Sequence, residues 1–130
     1  MSYTYMDTAE LSTRIQSNDD SILVVDVRGD DFIDGHIPNA IQVSSELWDD
    51  VRVIDNLLAS YPTKSTIVVH CMMSQIRGPK CARKLSDRLS ALTSSPETET
   101  DKPEIKVLRG GYDAWYNMYS NTSDMIAYGE

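Results

Sequence analysis

Apolar and polar positions along the chain follow two alternating periods. Ile22 to Val27 (ILVVDV) and Thr66 to His70 (TIVVH) are short, nearly continuous β-branched runs, the pattern of strands covered on both faces in a parallel sheet. Ala40 to Val43 and Ile105 to Leu108 read as two further short strands. Between these runs the spacing becomes helical. Ala9, Leu11 and Ile15 give a partial apolar face to a helix that Asp7 opens and that runs to about Gln16. Leu47, Trp48, Val51, Ile54, Leu58 and Tyr61 recur every three or four residues, with Glu46, Asp49, Asp50 and Asp55 opposite, and predict an amphipathic helix capped by Ser44 or Ser45. A third helix opens near Gly78 and Pro79 and carries Ala82, Leu85, Leu89 and Leu92 as its stripe. After the tight bend Arg109-Gly110-Gly111, YDAWYNMY reads as a last helix with Ala114, Trp115 and Met118 facing inward. Strands alternating with helices predict an α/β domain around a mostly parallel sheet, with any site lying off the carboxyl ends of the strands.

Length and composition narrow this picture. A chain of 130 residues is sized for one domain, 1–130, and residues 94–104, with two prolines and no apolar residue, read as a flexible connecting loop inside it. No stretch approaches the roughly 18 apolar residues of a membrane span, and the start MSYTYMDTAEL lacks the basic and apolar blocks of a signal peptide. The expectation is a protein of the cytoplasm, the nucleus or both, with no membrane partner. Two cysteines and two histidines make neither a disulfide framework nor a zinc spacing. A net charge of −8 argues against nucleic-acid binding. Arg77, Lys80, Arg83, Lys84 and Arg88 stand against this trend with Asp87 as their only nearby acid. The last three of these cations read as a solvated helix face.

Arg77 and Lys80 belong to a different feature, the stretch IVVHCMMSQIRGPK from Ile67 to Lys80. Its strand stops at Cys71, and a helix opens six or seven residues later. Loop amides from Met72 to Arg77 and the positive end of that helix then make an anion nest at the carboxyl edge of the sheet. The same field favours a thiolate, which is the attacking form of cysteine. Arg77 adds a planar fork that holds two oxygens of a tetrahedral oxyanion as charge develops.

HCMMSQIRGP, taken with VVDVR, GHIPNAI and VLRGGYDAW, resembles the rhodanese fold in its phosphatase form. That form comprises the mitotic-inducer dual-specificity phosphatases and the small fungal and protozoan arsenate reductases similar to them. The resemblance runs from about Tyr5 to Met118 and implies a five-stranded, mostly parallel rhodanese-like sheet with helices on both faces. Sulfurtransferases of this fold typically have a six-residue loop, and the phosphatase and arsenate reductase branch has seven; Cys71 to Arg77 counts seven. The resemblance implies Cys71 as nucleophile and Arg77 as oxyanion clamp. It also implies Met72, Met73, Ser74, Gln75 and Ile76 as amide donors, with the Ser74 hydroxyl as a further candidate donor. Asp26 and Arg28 are implied as a structural pair at the mouth of the loop or under it, and His70 as a loop-shaping residue rather than a base. His36 and Trp115 read as structural.

The implied activity is a cysteine-dependent tyrosine or dual-specificity phosphatase working through phosphocysteine, on a phosphoprotein or a small oxyanion and without metal or cofactor. The alternative on the same loop is arsenate reduction, with glutathione or glutaredoxin as external reductant. Thiosulfate sulfurtransfer, or a non-catalytic rhodanese-like binding module, is third, because the loop counts seven and the cysteine is present. Two departures from the family pattern stand out. Met72 and Ile76 occupy positions that are acidic in the mitotic enzymes, so no general acid is visible, and Asp30, Asp31 and Asp113 are the candidates for that role. Val27 stands where those enzymes carry a backup cysteine, and Cys81 reads as packing rather than as a replacement for it.

Overall fold

The computed structural model describes residues 3–92, 102–122 and 124–129; most of the connecting loop expected over 94–104 lies outside them. Five strands form one sheet: β1 (Thr4–Met6), β2 (Ile22–Asp26), β3 (Ile41–Gln42), β4 (Thr66–His70) and β5 (Glu104–Leu108). Their order is β1-β5-β4-β2-β3, and every neighbouring pair is parallel. Four α-helices accompany them: α1 (Thr8–Gln16), α2 (Val51–Ser60), α3 (Arg77–Leu92) and α4 (Gly111–Tyr119). Asp30–Asp34 and Ser45–Leu47 are short 3-10 turns.

The two central strands, β2 and β4, are buried at every residue. Side chains alternate across a strand, and here they separate two apolar layers. Leu23, Val25, Val27, Ile67, Val69 and Cys71 share one layer with Leu85 and Leu89 of α3 and with Ile54 and Leu57 of α2. Ile22, Val24 and Val68 share the other with Leu11 of α1 and with Tyr112 and Trp115 of α4. Helices thus cover both faces, as an all-parallel sheet requires. The alternation also sends Cys71 and His70 to opposite sides of the sheet.

Several elements differ from the periodicity reading. β1 was not read as a strand, because three residues carry too little alternation; it forms by pairing Thr4, Tyr5 and Met6 with Lys106, Val107 and Leu108 at the sheet edge. The helix expected from Ser44 or Ser45 is interrupted. Trp48 is buried and its indole N–H donates to the Val43 carbonyl at 2.9 Å, which ends the first turn. The α-helix starts afresh at Val51, capped by the Asp50 carboxylate accepting from the Arg52 amide at 2.9 Å. Ala9 faces solvent, and Thr8 and Ser12 are buried beside Leu11. On α4 the inward residues are Tyr112 and Trp115, while Met118 is exposed. A nine-residue helix held near its first turn and at Trp115 has too narrow a buried face to include Met118.

α3 is the longest helix and contacts both β4 and β5. Leu85 lies on its inner face and is fully buried. Leu85→Ala is expected to cost about 2 to 5 kcal/mol in unfolding free energy, read as a lowered urea midpoint with an unchanged slope.

Candidate active site

Parallel strands β2 and β4 pair in a register that sets Asp26 directly beside His70. Beyond that pair β4 ends and the chain turns through Cys71–Arg77 into α3. Cys71 is buried at 3 % exposure, and its Sγ accepts a hydrogen bond from the Gly78 amide at 3.3 Å. That amide belongs to the first turn of α3, so the sulfur rests on the positive end of a helix. Among the described residues, the amides from Met72 to Arg77 meet no carbonyl or side-chain acceptor. Ser74 has a left-handed backbone, φ 55°. Such a residue within a turn directs successive N–H groups to one side and makes a concavity for an anion.

The entrance to the loop is held from outside by α4. Tyr112 and Asp113 donate their amides to the carbonyls of Cys71 and Met72, at 3.0 and 2.9 Å. The helix approaches this closely because Gly111 has no side chain: a Cβ there would lie 2.5 Å from the Met72 oxygen and 2.6 Å from the Cys71 oxygen. Gly111 also has φ 61°, a conformation natural to glycine. The Gly-Gly bend, read from sequence only as a turn, is therefore the clamp that fixes the start of the loop.

Beneath the loop lies the Asp26–Arg28 pair. Arg28 Nε lies 3.0 Å from each Asp26 carboxylate oxygen, and Nη2 lies 2.7 Å from Oδ2. The guanidinium also donates to the Gly35 carbonyl at 2.8 Å and lies 4.2 Å from the centre of the Tyr112 ring. Asp26 is 0 % and Arg28 1 % exposed, so the pair sits under the loop and not at its mouth. It braces Tyr112, whose amide holds the Cys71 carbonyl.

His70 completes this layer. Its Nδ1 lies 3.0 Å from the Cys71 carbonyl, an acceptor, so the proton is on Nδ1. Nε2 has no hydrogen-bond partner and lies 3.8 Å from Asp26 Oδ2. Burial pushes the His70 pKa below the usual histidine value, against the raising influence of Asp26. The ring is on the face of the sheet opposite the sulfur. His36 is equally structural, stacked on Phe32 at 3.9 Å with its Nδ1 on the Phe32 carbonyl.

At the mouth, Arg77 is exposed and makes no ion pair among the described residues. With Ile76 and Lys80 it lines a concavity of about 240 Å³ whose other wall includes Glu46 and Asp49. A hydrogen bond and ion pair from Lys84 hold the Asp49 carboxyl below its usual range. Arg88 pairs with Asp55 of α2, so the outer cations of α3 tie two helices together. The acid candidates are scattered. Asp31 lies 3.7 Å from Arg28, Asp113 accepts from Asn117 in the first turn of α4, and Asp30 lies in the 3-10 turn. Glu46, which the sequence reading passed over as helix surface, is the carboxylate that shares the concavity with Arg77 and has no ion-pair partner among the described residues. Its only sequence signal was its place two residues after Ser44. Cys81 is buried in the same layer as Cys71, and burial pushes its thiol up to about 12. It packs as a small apolar residue rather than acting as a second nucleophile.

Comparison with known proteins places this geometry in context. The sequence pattern of the rhodanese-like domain matches residues 7–118. The dual specificity phosphatase ibp1 of Schizosaccharomyces pombe is 29 % identical, over 96 % of both chains. Arsenate reductase 2.2 of Oryza sativa is 32 % identical over 86 % of this chain and 81 % of its own. Among solved structures, Ygr203w, described as a yeast protein tyrosine phosphatase of the rhodanese family, superposes with a TM-score of 0.78 at 27 % identity, covering 98 % of this chain and 93 % of its own.

Two outcomes follow from the buried layer. Removing one partner of the Asp26–Arg28 pair leaves a buried charge alone, so Arg28→Met or Asp26→Leu is expected to cost about 3 to 5 kcal/mol, with the double variant less damaged than the sum of the two; paired urea titrations measure this. His70 gives a pH signature. Its folded pKa lies below its unfolded value, so the unfolded state binds the proton first and stability falls as pH drops below about 6.5, by at most about 1.4 kcal/mol per unit. Melting curves of the unaltered protein and of His70→Phe should converge in acid relative to their separation at pH 8.

Proposed function

The chain belongs to the rhodanese-like domain family, and from that premise we propose that it is a cysteine-dependent phosphatase acting on aryl phosphates and phosphoproteins through a phosphocysteine intermediate. One observation carries the proposal. A seven-residue loop holds the Cys71 sulfur on the Gly78 amide, and the amides from Met72 to Arg77 and the Arg77 guanidinium have no partners of their own among the described residues. Such a loop is complementary to a tetrahedral dianion. Cys71 attacks phosphorus as its thiolate while the P–O bond to the leaving group breaks. Arg77 and the amides of Met72, Met73, Ser74, Gln75 and Ile76 take the charge of the equatorial oxygens. Water then displaces sulfur, and the electron pair of the S–P bond returns to Cys71. Asp26, Arg28 and His70 support the loop without touching substrate. No metal or cofactor has a part in these steps. Phosphoproteins and small oxyanions, and not nucleic acids or membranes, are the partners this reading supplies, in the cytoplasm or nucleus.

A second reading is supported by the dispersed acids. A phosphate ester with a basic leaving group needs a proton donor, whereas arsenate reduction on the same loop needs only an external thiol, such as glutathione or glutaredoxin, to discharge the arsenic adduct of Cys71. The rice relative named as an arsenate reductase belongs with this reading. The two activities share Cys71 and Arg77.

Purified protein is expected to hydrolyse p-nitrophenyl phosphate in the presence of chelator, to be inhibited by vanadate, and to lose at least about 1,000-fold in kcat on Cys71→Ser and about 100-fold on Arg77→Lys. Full activity in Cys71→Ser would end the proposal. A parallel assay of arsenate reduction with glutathione and glutaredoxin decides the second reading.

A further inference from the structure

The sheet order sets β4 between β5 and β2, so the loop after β4 is flanked at the carboxyl edge by whatever follows those two neighbours. After β2 comes the 3-10 turn Asp30–Asp34, and after β5 comes the start of α4. Residues 29–42 hold three aspartates, and residues 110–130 hold two aspartates and a glutamate, with no lysine or arginine in either stretch. Asp30 and Asp34 are exposed, and Asp31 and Asp113 are partly so. The loop thus has cations at the start of α3 on one face of the sheet and an acidic border on the face of α4.

This border is also aromatic. Ile33, Tyr116 and Tyr128 are 50, 49 and 70 % exposed. Contacts between segments gather them: His36 and Ala127 exchange two amide-to-carbonyl hydrogen bonds at 2.8 Å, and the Gly129 amide donates to the Ile33 carbonyl at 3.0 Å. The ring centres of Tyr116 and Tyr112 lie 6.1 Å apart. Grouped exposed apolar surface of this kind marks an interaction site. A polar group without a partner lies beneath it. Tyr112 is 6 % exposed and its hydroxyl makes no hydrogen bond, which is costly for a buried group. A Cβ on Gly35 would lie 2.7 Å from that oxygen and 3.6 Å from Cε1 of Tyr128. The hydroxyl therefore points to the junction of Gly35 and Tyr128, within the patch.

Carboxylates, tyrosine ring faces and an unpartnered phenol oxygen share one complement. A lysine or arginine side chain pairs with the first, stacks on the second and donates to the third. A purely apolar ligand would leave the phenol unpaired, and an acidic one would meet like charge. The patch is also continuous with the loop, because Tyr112 and Asp113 donate their amides to the carbonyls of Cys71 and Met72. We propose that this border docks the basic flank of a phosphotyrosine segment whose phosphate enters the Cys71–Arg77 loop. The proposal rests on the phosphatase reading above and names the substrate class that reading leaves open. An extended chain covers about 3.3 Å per residue, so cations about two to four positions from the phosphotyrosine span about 7 to 13 Å, comparable with the first two turns of α4.

The test uses two phosphotyrosine peptides, one with lysines and one with glutamates at those flanking positions. Both kcat/KM values are measured on the same sample, so their ratio is independent of the active fraction. The unaltered protein is expected to favour the basic peptide about 10-fold or more at low salt, with the ratio falling toward one at about 1 M salt, where charges are screened beyond about 3 Å. Asp34→Lys is expected to lower the low-salt ratio about 3- to 10-fold. Tyr112→Phe removes the phenol oxygen and keeps the ring on Arg28; it is expected to melt no lower than the unaltered protein and to lower the ratio by a similar factor. Asp20→Lys makes the same charge change at the amino end of β2 and is expected to leave the ratio within about two-fold. A ratio near one in the unaltered protein, or a preference for the acidic peptide, overturns the assignment. An equal fall in Asp20→Lys overturns it too, as an effect of net charge, and so does a fall in Glu46→Lys without one in Asp34→Lys, which sets the flank on the side of α3. Hydrolysis of p-nitrophenyl phosphate with no preference between the peptides removes this assignment alone, whereas hydrolysis of none of the three removes the phosphatase reading with it.

Discussion

Two hydrogen bonds, from the amides of Tyr112 and Asp113 to the carbonyls of Cys71 and Met72, hold the carboxyl end of β4 in the form on which the site depends. A strand that leaves a parallel sheet has backbone groups to satisfy on both sides. Here the carbonyls at the start of the loop are given to α4, while the N–H groups that follow have no acceptor among the described residues. The polarity of the loop is thereby divided, with its first carbonyls anchored on a helix and the N–H groups of Met72 to Arg77 making no protein hydrogen bond among the described residues. Gly111 makes this division sterically possible, and the buried Asp26–Arg28 pair keeps Tyr112 where its amide can do it.

The parallel register has a second consequence. Cys71 and His70 are neighbours in sequence, yet the pleat sends the sulfur into the layer of α2 and α3 and the imidazole into the layer of Asp26 and Arg28. Histidine beside cysteine usually suggests a base and its nucleophile. Here the ring is buried, kept neutral by desolvation, and its proton is given to the Cys71 carbonyl. The hydrogen bond to the sulfur comes instead from the Gly78 amide at the helix start.

The main architecture and the position of the cysteine loop were legible in the sequence because they rest on strong local signals. The β-branched runs at Ile22 and Thr66 announced buried parallel strands, and the stop at Cys71 announced the turn from β4 into α3. What escaped the reading was set by contacts distant in sequence. β1 exists through its pairing with β5. The break before α2 follows from where Trp48 finds an acceptor. The role of Gly111 depends on the loop that α4 meets, some forty residues earlier. Glu46 was assigned to a helix surface because its spacing fitted one, whereas it lies in a 3-10 turn facing Arg77. Periodicity reports burial against a layer; it does not report which loop a turn will face.

The charge arrangement at the start of α3 bears directly on the proposed oxyanion site. Arg77 and Lys80 occupy the first turn, which contains no acid, although the helix dipole disfavours cations there and two of them three residues apart repel. Unpaired amides from Met72 onward carry the same sign. In a protein of net charge −8 this is a local excess of cations, faced across the concavity by Glu46 and Asp49; Lys84 and Arg88, farther along, pair with Asp49 and Asp55. The rest of α3 is anchored in the core through Ala82, Leu85 and Leu89. In the proposed reading a tetrahedral oxyanion is the ligand that these amides, the start of α3 and Arg77 serve together.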